Sequence, residues 1–178
     1  MEQTTNWVID PMHSEVSFKV KHLVISTVTG YFRSFDGGAT TQGDDFDGAQ
    51  IHFSADLDSI DTNMAQRDAH LKSAEFFDAE NHPKLTFQSS SFTKKSGDAY
   101  ELQGTLTIRG NSHPVALQAE MGGTAVDFYG NKKVGFELTG KISRKAFGLT
   151  WDGITEAGAV VVSDEVRLAL NIQLAQQA

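Results

Sequence analysis

The 178-residue chain contains no cysteine, which removes disulfide frameworks, thiolate nucleophiles and cysteine-ligated zinc or iron–sulfur centres together. Positive charge is scarce as well. Lys and Arg number 15 against 23 Asp and Glu, for a formal charge of −8. A general nucleic-acid binder needs surplus cations to neutralise phosphates, so no nucleic-acid partner is expected. The same balance disfavours attraction to anionic lipid surfaces. No apolar run approaches the ~20 residues that span a bilayer, which argues against stable membrane insertion. Met1 to Trp7 lacks the basic stretch and apolar run of a signal peptide. The expectation is a cytoplasmic protein, or a periplasmic one if a leader has been trimmed away.

Catalytic signatures are missing too. The six histidines (His13, His22, His52, His70, His82 and His113) never fall in H-x-x-x-H or H-x-H spacing, so no metal site is expected. There is no G-x-S-x-G elbow, P-loop or G-x-G-x-x-G. His13 and Ser14 are neighbours, which on a strand point to opposite faces, so no direct contact between them is expected. Asp56, Asp58 and Asp61 read as turn formers and caps at a strand end. No catalytic residue and no cofactor is assigned.

What the chain does have is two-residue alternation. Val16, Phe18, Val20 and His22 share one face; Ile51, Phe53, Ala55 and Leu57 share another. The pattern recurs from Tyr100 to Ile108, Val115 to Met121, Val134 to Ile142 and Val166 to Leu174. With Thr27 to Phe35 and Lys84 to Phe92 this gives about eight strands, each with one apolar face, the antiparallel habit. Turn signals lie at Asp36-Gly37-Gly38, Gly43-Asp44-Asp45, Ser96-Gly97-Asp98, Gly110-Asn111 and Tyr129-Gly130-Asn131. Strands this long and even favour a closed barrel of lipocalin proportions over a sandwich. The length fits one domain, 1–178.

One stretch departs from the alternation. Asp61 to Glu75 reads as a short helix after a capping residue, with Met64 and Leu71 on one side and Arg67 and Asp68 flanking them. Such a stripe, apolar yet charged, suits a lid or plug.

Twelve phenylalanines and two tryptophans raise the question of whether the barrel is filled or hollow. Small or polar residues at inward positions, namely Ser89, Ser91, Gly104, Ala119 and Gly140, fit either interlocking packing or the course of a cavity. His22 on an apolar face is most simply a core histidine with one hydrogen bond; alternatively it meets a ligand at the barrel mouth. Isolated Arg67, His70, Lys72 and Arg144 read first as surface charge.

Several stretches then become specific. Asp10-Pro11-Met12-His13-Ser14-Glu15-Val16-Ser17-Phe18-Lys19-Val20-Lys21-His22 resembles the opening signature of the YceI-like family, and Gly30-Tyr31-Phe32-Arg33-Ser34-Phe35 its G-x-F-x-x-F. Ser59-Ile60-Asp61-Thr62, Arg67-Asp68-Ala69-His70-Leu71-Lys72 and Phe76-Phe77-Asp78 are similar to its central block. Pro83 to Phe87, Gly104 to Gly110 and Ser143 to Leu149 follow in order, so the resemblance runs from Trp7 to about Ile172. The glycine-rich segment Trp151 to Ser163 departs from it.

The resemblance implies an all-β fold, an extended eight-stranded antiparallel lipocalin-like barrel with one short helical insertion. It also implies an elongated pocket for a polyisoprenoid or similar long-chain amphiphile, in a soluble carrier or store that forms a homodimer. An enzyme of isoprenoid or quinone metabolism and a ligand-free stress-response module are the alternatives. Candidates to hold the tail are Phe18, Val20, Phe32, Phe53 and Met64, with Leu71, Phe87, Leu106 and Phe136. Candidates for the head are Arg67, His70, His22 and Arg144. A charged head belongs at the mouth, because stripping such an ion of water costs on the order of 20 kcal/mol in the idealised limit.

Overall fold

The computed structural model describes residues 3–23, 25–152 and 162–177. The described residues form one antiparallel sheet of eleven strands: β1 (Thr4–Ile9), β2 (Glu15–His22), β3 (Ser26–Phe32), β4 (Phe35–Gln42), β5 (Asp45–Asp56), β6 (Ile60–Asp61), β7 (Lys84–Ser96), β8 (Ala99–Ile108), β9 (Asn111–Val126), β10 (Lys132–Ser143) and β11 (Val162–Gln176). One helix, α1 (Ala65–Lys72), interrupts them. The sheet closes because β1 pairs with β4 on one side and β11 on the other. The ring β1-β4-β5-β7-β8-β9-β10-β11 is an eight-stranded barrel, and β2, β3 and β6 continue its wall along β11.

Eleven strands and eight are the same architecture counted differently. Three long strands are each broken once: β1 and β2 by a turn at Pro11–His13, β3 and β4 at Arg33 and Ser34, β5 and β6 by a turn at Leu57–Ser59. The second and third breaks are adjacent, joined by Arg33 N–H to the Ser59 carbonyl (3.2 Å) and Asp56 N–H to the Ser34 carbonyl (2.9 Å). At the first, Ser14 Oγ accepts from Gln173 N–H (2.9 Å), so the kinked backbone keeps its partner on β11.

Local chemistry moves some boundaries from those the sequence suggests. Asp36-Gly37-Gly38 is strand, not turn. A Cβ on Gly37 would press on the His52 carbonyl and one on Gly38 on that of Trp7; glycine here permits close backbone approach. α1 begins at Ala65 rather than Asp61, because Asp61 pairs with Tyr31 in the sheet. A bulge between Ser89 and Ser91 shifts the register of β7. It sets Ser91 opposite the outward Gln103 and brings Phe92 inward opposite Leu102, reversing the simple alternation. Gly104 seats the Phe87 ring, Gly140 the Leu117 side chain and Gly30 the Phe18 ring. At these positions interlocking packing, not open space, explains the small residue.

Candidate functional site

The inward faces of the strands enclose an apolar bore of about 180 Å³, with Phe18, Phe32, Phe53, Phe87, Leu106 and Phe136 among its walls. One end is stopped by rings. Trp7 packs on Phe46 (centroids 5.0 Å), Phe46 on Phe136 (5.1 Å) and Phe136 on Phe92 (5.7 Å), while Phe92 stacks on Tyr100 at 4.8 Å. The Trp7 indole N–H donates to the buried Thr41 hydroxyl (3.0 Å), which donates to the Gly43 carbonyl (2.7 Å). Among the described residues no buried side-chain polar atom lacks a partner, as burial requires.

The other end opens beneath α1. A second cavity of about 440 Å³ is lined by Val20, His22, Met64, Arg67, His70, Leu71 and neighbours. Phe18, Phe77, Arg144, Leu149 and Val166 line both cavities, so bore and mouth adjoin. α1 itself has no buried residue, and Met64 at its start is 51% exposed. The mouth therefore faces solvent along its helical side.

Three polar constructions frame it. Thr62, buried beneath α1, donates from both its N–H (2.8 Å) and its hydroxyl to the Asp68 carboxylate. The same hydroxyl accepts from Arg67 Nε (2.7 Å), and the Thr62 carbonyl accepts from Arg67 Nη2 (2.6 Å). Asp68 consequently spends itself on Thr62, and Arg67 forms no ion pair among the described residues. His70 stands edge-on to both Trp151 (4.7 Å) and Phe76 (5.5 Å), with its Nε2 against Glu75.

Arg144, only 2% exposed, sends its five N–H groups to the carbonyls of Ser163, Leu149, Trp151 and Val162 and to Asp152 Oδ1. The bond from Arg144 to Asp152, and next the Lys145 ammonium, holds the Asp152 carboxyl below the usual carboxylate range. Arg144 therefore has no donor left for a ligand. Its position in the cavity wall is that of a staple joining the start of β11 to the chain after β10.

The charge of the mouth runs opposite to that of the whole chain. Lys21, His22, Arg67, His70 and Arg144 line it, and no Asp or Glu does among the described residues. Among the described residues no group of three His, Asp or Glu there could hold a metal.

All thirteen residues singled out from sequence lie on these two walls. Phe32, Phe53, Phe87, Leu106 and Phe136 face the bore; Val20, His22, Met64, Arg67, His70 and Leu71 face the mouth; Phe18 and Arg144 face both. Lys72 instead reaches Asp58 (3.6 Å). Phe46, Phe77, Leu149 and Trp151 also belong to the walls and carry no strand alternation to reveal them. In the segment Trp151 to Ser163, residues 153–161 lie outside the described residues.

Comparison with known proteins agrees with this architecture. The YceI-like domain model matches residues 7–174. Protein YceI of Salmonella newport (strain SL254) is 38% identical over 165 residues, which cover 93% of this chain and 83% of that protein. The crystal structure of the Campylobacter jejuni YCEI protein superposes with a TM-score of 0.74 at 32% identity, covering 89% of this chain and 90% of the other. A polyisoprenoid binding domain from Saccharophagus degradans shares the fold, with a TM-score of 0.70 at 15% identity over 96% of this chain and 98% of that one. With the family model matched from Trp7 to Leu174 and a relative 38% identical across most of its length, the chain belongs to the YceI-like family.

Proposed function

We propose that the barrel binds a polyisoprenoid or similar long-chain amphiphile, tail in the bore and head at the mouth, as a soluble carrier or store. The observation that carries this reading is the continuity of an apolar bore, stopped at one end by rings, with a solvent-facing mouth lined by cations and no carboxylate among the described residues. The Saccharophagus degradans domain of the same fold is a polyisoprenoid binding domain, which supports the choice of ligand class. Ligand pockets commonly measure roughly 300–1,000 Å³, a range reached by bore and mouth together.

Burial of each CH₂ is worth about 0.8 kcal/mol, so one five-carbon unit supplies roughly 3–4 kcal/mol as an upper limit. Lost chain freedom consumes much of that gain. Affinity then follows from length and fit more than from any single polar contact. Arg67, with its Nη1 free of hydrogen bonds among the described residues, is the first group to meet an anionic or hydrogen-bonding head, followed by His22 and His70.

Native mass spectrometry of the purified protein, before and after organic extraction and re-exposure to long-chain prenyl lipid, tests the reading. Adducts lost on extraction and regained on exposure are expected; a protein that never takes up such a lipid would overturn it. Phe53→Asp, which sets a carboxylate in the bore wall opposite Phe87, should abolish uptake in the folded variant. Unchanged uptake would place the tail elsewhere.

A further inference from the structure

The strand register assembles a basic wall beside the mouth. Lys19 on β2 sits opposite Arg167 on β11, and Arg167 opposite Lys141 on β10, so three cations form one row across the outer face. Lys21, two residues further along β2, carries the row to the mouth cavity that it lines. Like charges placed directly opposite weaken a sheet, so such a row is a cost to the fold alone. All four side chains are exposed. Their one carboxylate neighbour, Glu165, lies at 3.8 Å from Lys141 and 3.6 Å from Arg167, and Lys19 and Lys21 have no ion-pair partner among the described residues.

Several acids elsewhere at this end are already engaged. Asp58 meets Lys72, Asp61 meets Arg33, Glu75 meets His70, and Asp152 meets Arg144 and Lys145. The opposite end gathers Asp44, Asp45, Asp47 and Asp98 at the β4–β5 and β7–β8 turns, where Asp44 alone among these four meets a cation, Lys132 at 2.7 Å. There burial, and after it the charges of Asp45, Asp47 and Asp98, raise the pKa of Tyr100. The barrel is thus electrically polar along its axis. Fifteen residues of β11 extend about 50 Å, less once tilted, against a Debye length of about 8 Å at physiological ionic strength. A surface approached by the mouth feels the wall and not the −8 of the whole chain. The rim also carries apolar tips: Ile25, at the β2–β3 turn, is 84% exposed, and Met64 is 51% exposed.

We infer that Lys19, Lys21, Lys141 and Arg167, with Ile25 at the rim, dock the mouth end of the barrel reversibly on an anionic phospholipid surface. The complement is chemical: four cations that share the single carboxylate Glu165 for the head groups, and an apolar tip for the boundary below them. This inference goes beyond the lipid-binding reading and does not depend on cargo, since the wall lies outside the bore.

Flotation with vesicles of phosphatidylcholine plus roughly 30% phosphatidylglycerol, against phosphatidylcholine alone, tests it. Binding only to the anionic vesicles is expected, lost near 0.5 M salt where the Debye length shrinks to about 4 Å. Lys19→Gln/Lys141→Gln/Arg167→Gln should weaken it on the order of a hundredfold, about fivefold per cation removed. An Ile25→Trp reporter should shift its emission to the blue on anionic vesicles only. No binding, equal binding to both vesicles, or an unaffected triple variant would overturn the inference. So would a dimer, seen by sedimentation, that the triple substitution dissociates, since a second copy would then cover the wall. Uptake of a fluorescent long-chain amphiphile delivered from ethanol reads the bore separately. Its failure beside intact vesicle binding would remove the carrier proposal and leave the docking surface standing.

Discussion

The two ends of this barrel are built from different materials. At the stopped end Trp7, Phe46, Phe92, Tyr100 and Phe136 are all at least nine-tenths buried and touch one another ring to ring. At the mouth the helix that covers the opening has no fully buried residue; Leu71 packs part-buried on the core, and the polar attachment runs through Thr62, Asp68 and Arg67. Apolar packing is non-directional and dense; hydrogen bonds that exchange with water contribute only about 1 kcal/mol each. The division places global stability at the stopper and leaves the mouth to open locally at small cost. Under the proposed carrier function, this division would let the mouth open without unfolding the stopped end.

The largest test removes the floor. Phe46→Ala deletes a ring that touches Trp7 and Phe136 in the stopper. Urea unfolding should show a loss of about 3–5 kcal/mol, with the slope unchanged. A loss below about 1 kcal/mol would mean that the stopper can collapse or is not where stability resides, and the contrast between the ends would fail. Next comes a residue of the mouth buried as deeply as the stopper, Arg144. Arg144→Met leaves four carbonyls without this donor and Asp152 with the Lys145 ammonium alone, which should cost about 3 kcal/mol in the same measurement. A near-neutral outcome would recast Arg144 as a spare cation rather than a staple.

Much of the architecture was written in the alternation. Val134, Phe136 and Leu138 face inward on β10 as the period of two requires, and so do Leu102, Leu106 and Ile108 on β8. Period alone could not find the bulge after Ser89, because one extra residue reverses every face beyond it and leaves no mark in composition. Gly37 and Gly38 misled for a related reason: turn and close crossing both demand glycine, and only the position of the neighbouring strand separates them. The stopper was partly hidden as well. Phe46 stands alone between Asp45 and Asp47, where polar neighbours disguise a strand entering the core. The site was legible in its parts, since both walls draw on residues singled out by type and spacing. What Arg144 does was not legible, because its partners are backbone carbonyls delivered by a loop and by the start of β11. No sequence pattern encodes which carbonyls will converge on a guanidinium.

The smallest expected effect is electrostatic, and it sharpens the role of the staple. Asp152 has a pKa below its ordinary value because it accepts from Arg144 and, next, from Lys145. A carboxyl whose folded pKa lies below the unfolded value of about 3.9 binds protons more readily in the unfolded chain. Its contribution to stability is therefore complete above that value and disappears as the pH falls through the folded pKa. Asp10, lowered chiefly by its bond from His13, and Asp127, lowered chiefly by the Asn131 N–H, act in the same direction. Stability measured against pH should thus be flat from about 5 to 7 with respect to these groups and decline below about 4. Asp152→Asn should flatten part of that acid limb. In Arg144→Met the Asp152 carboxyl, followed by NMR, should titrate at higher pH than in the parent, with Lys145 preserving the remainder of the shift. An unchanged Asp152 titration in that variant would show that Arg144 does not hold the carboxylate in solution, and the mouth would then lack the fixed point on which its loop is anchored.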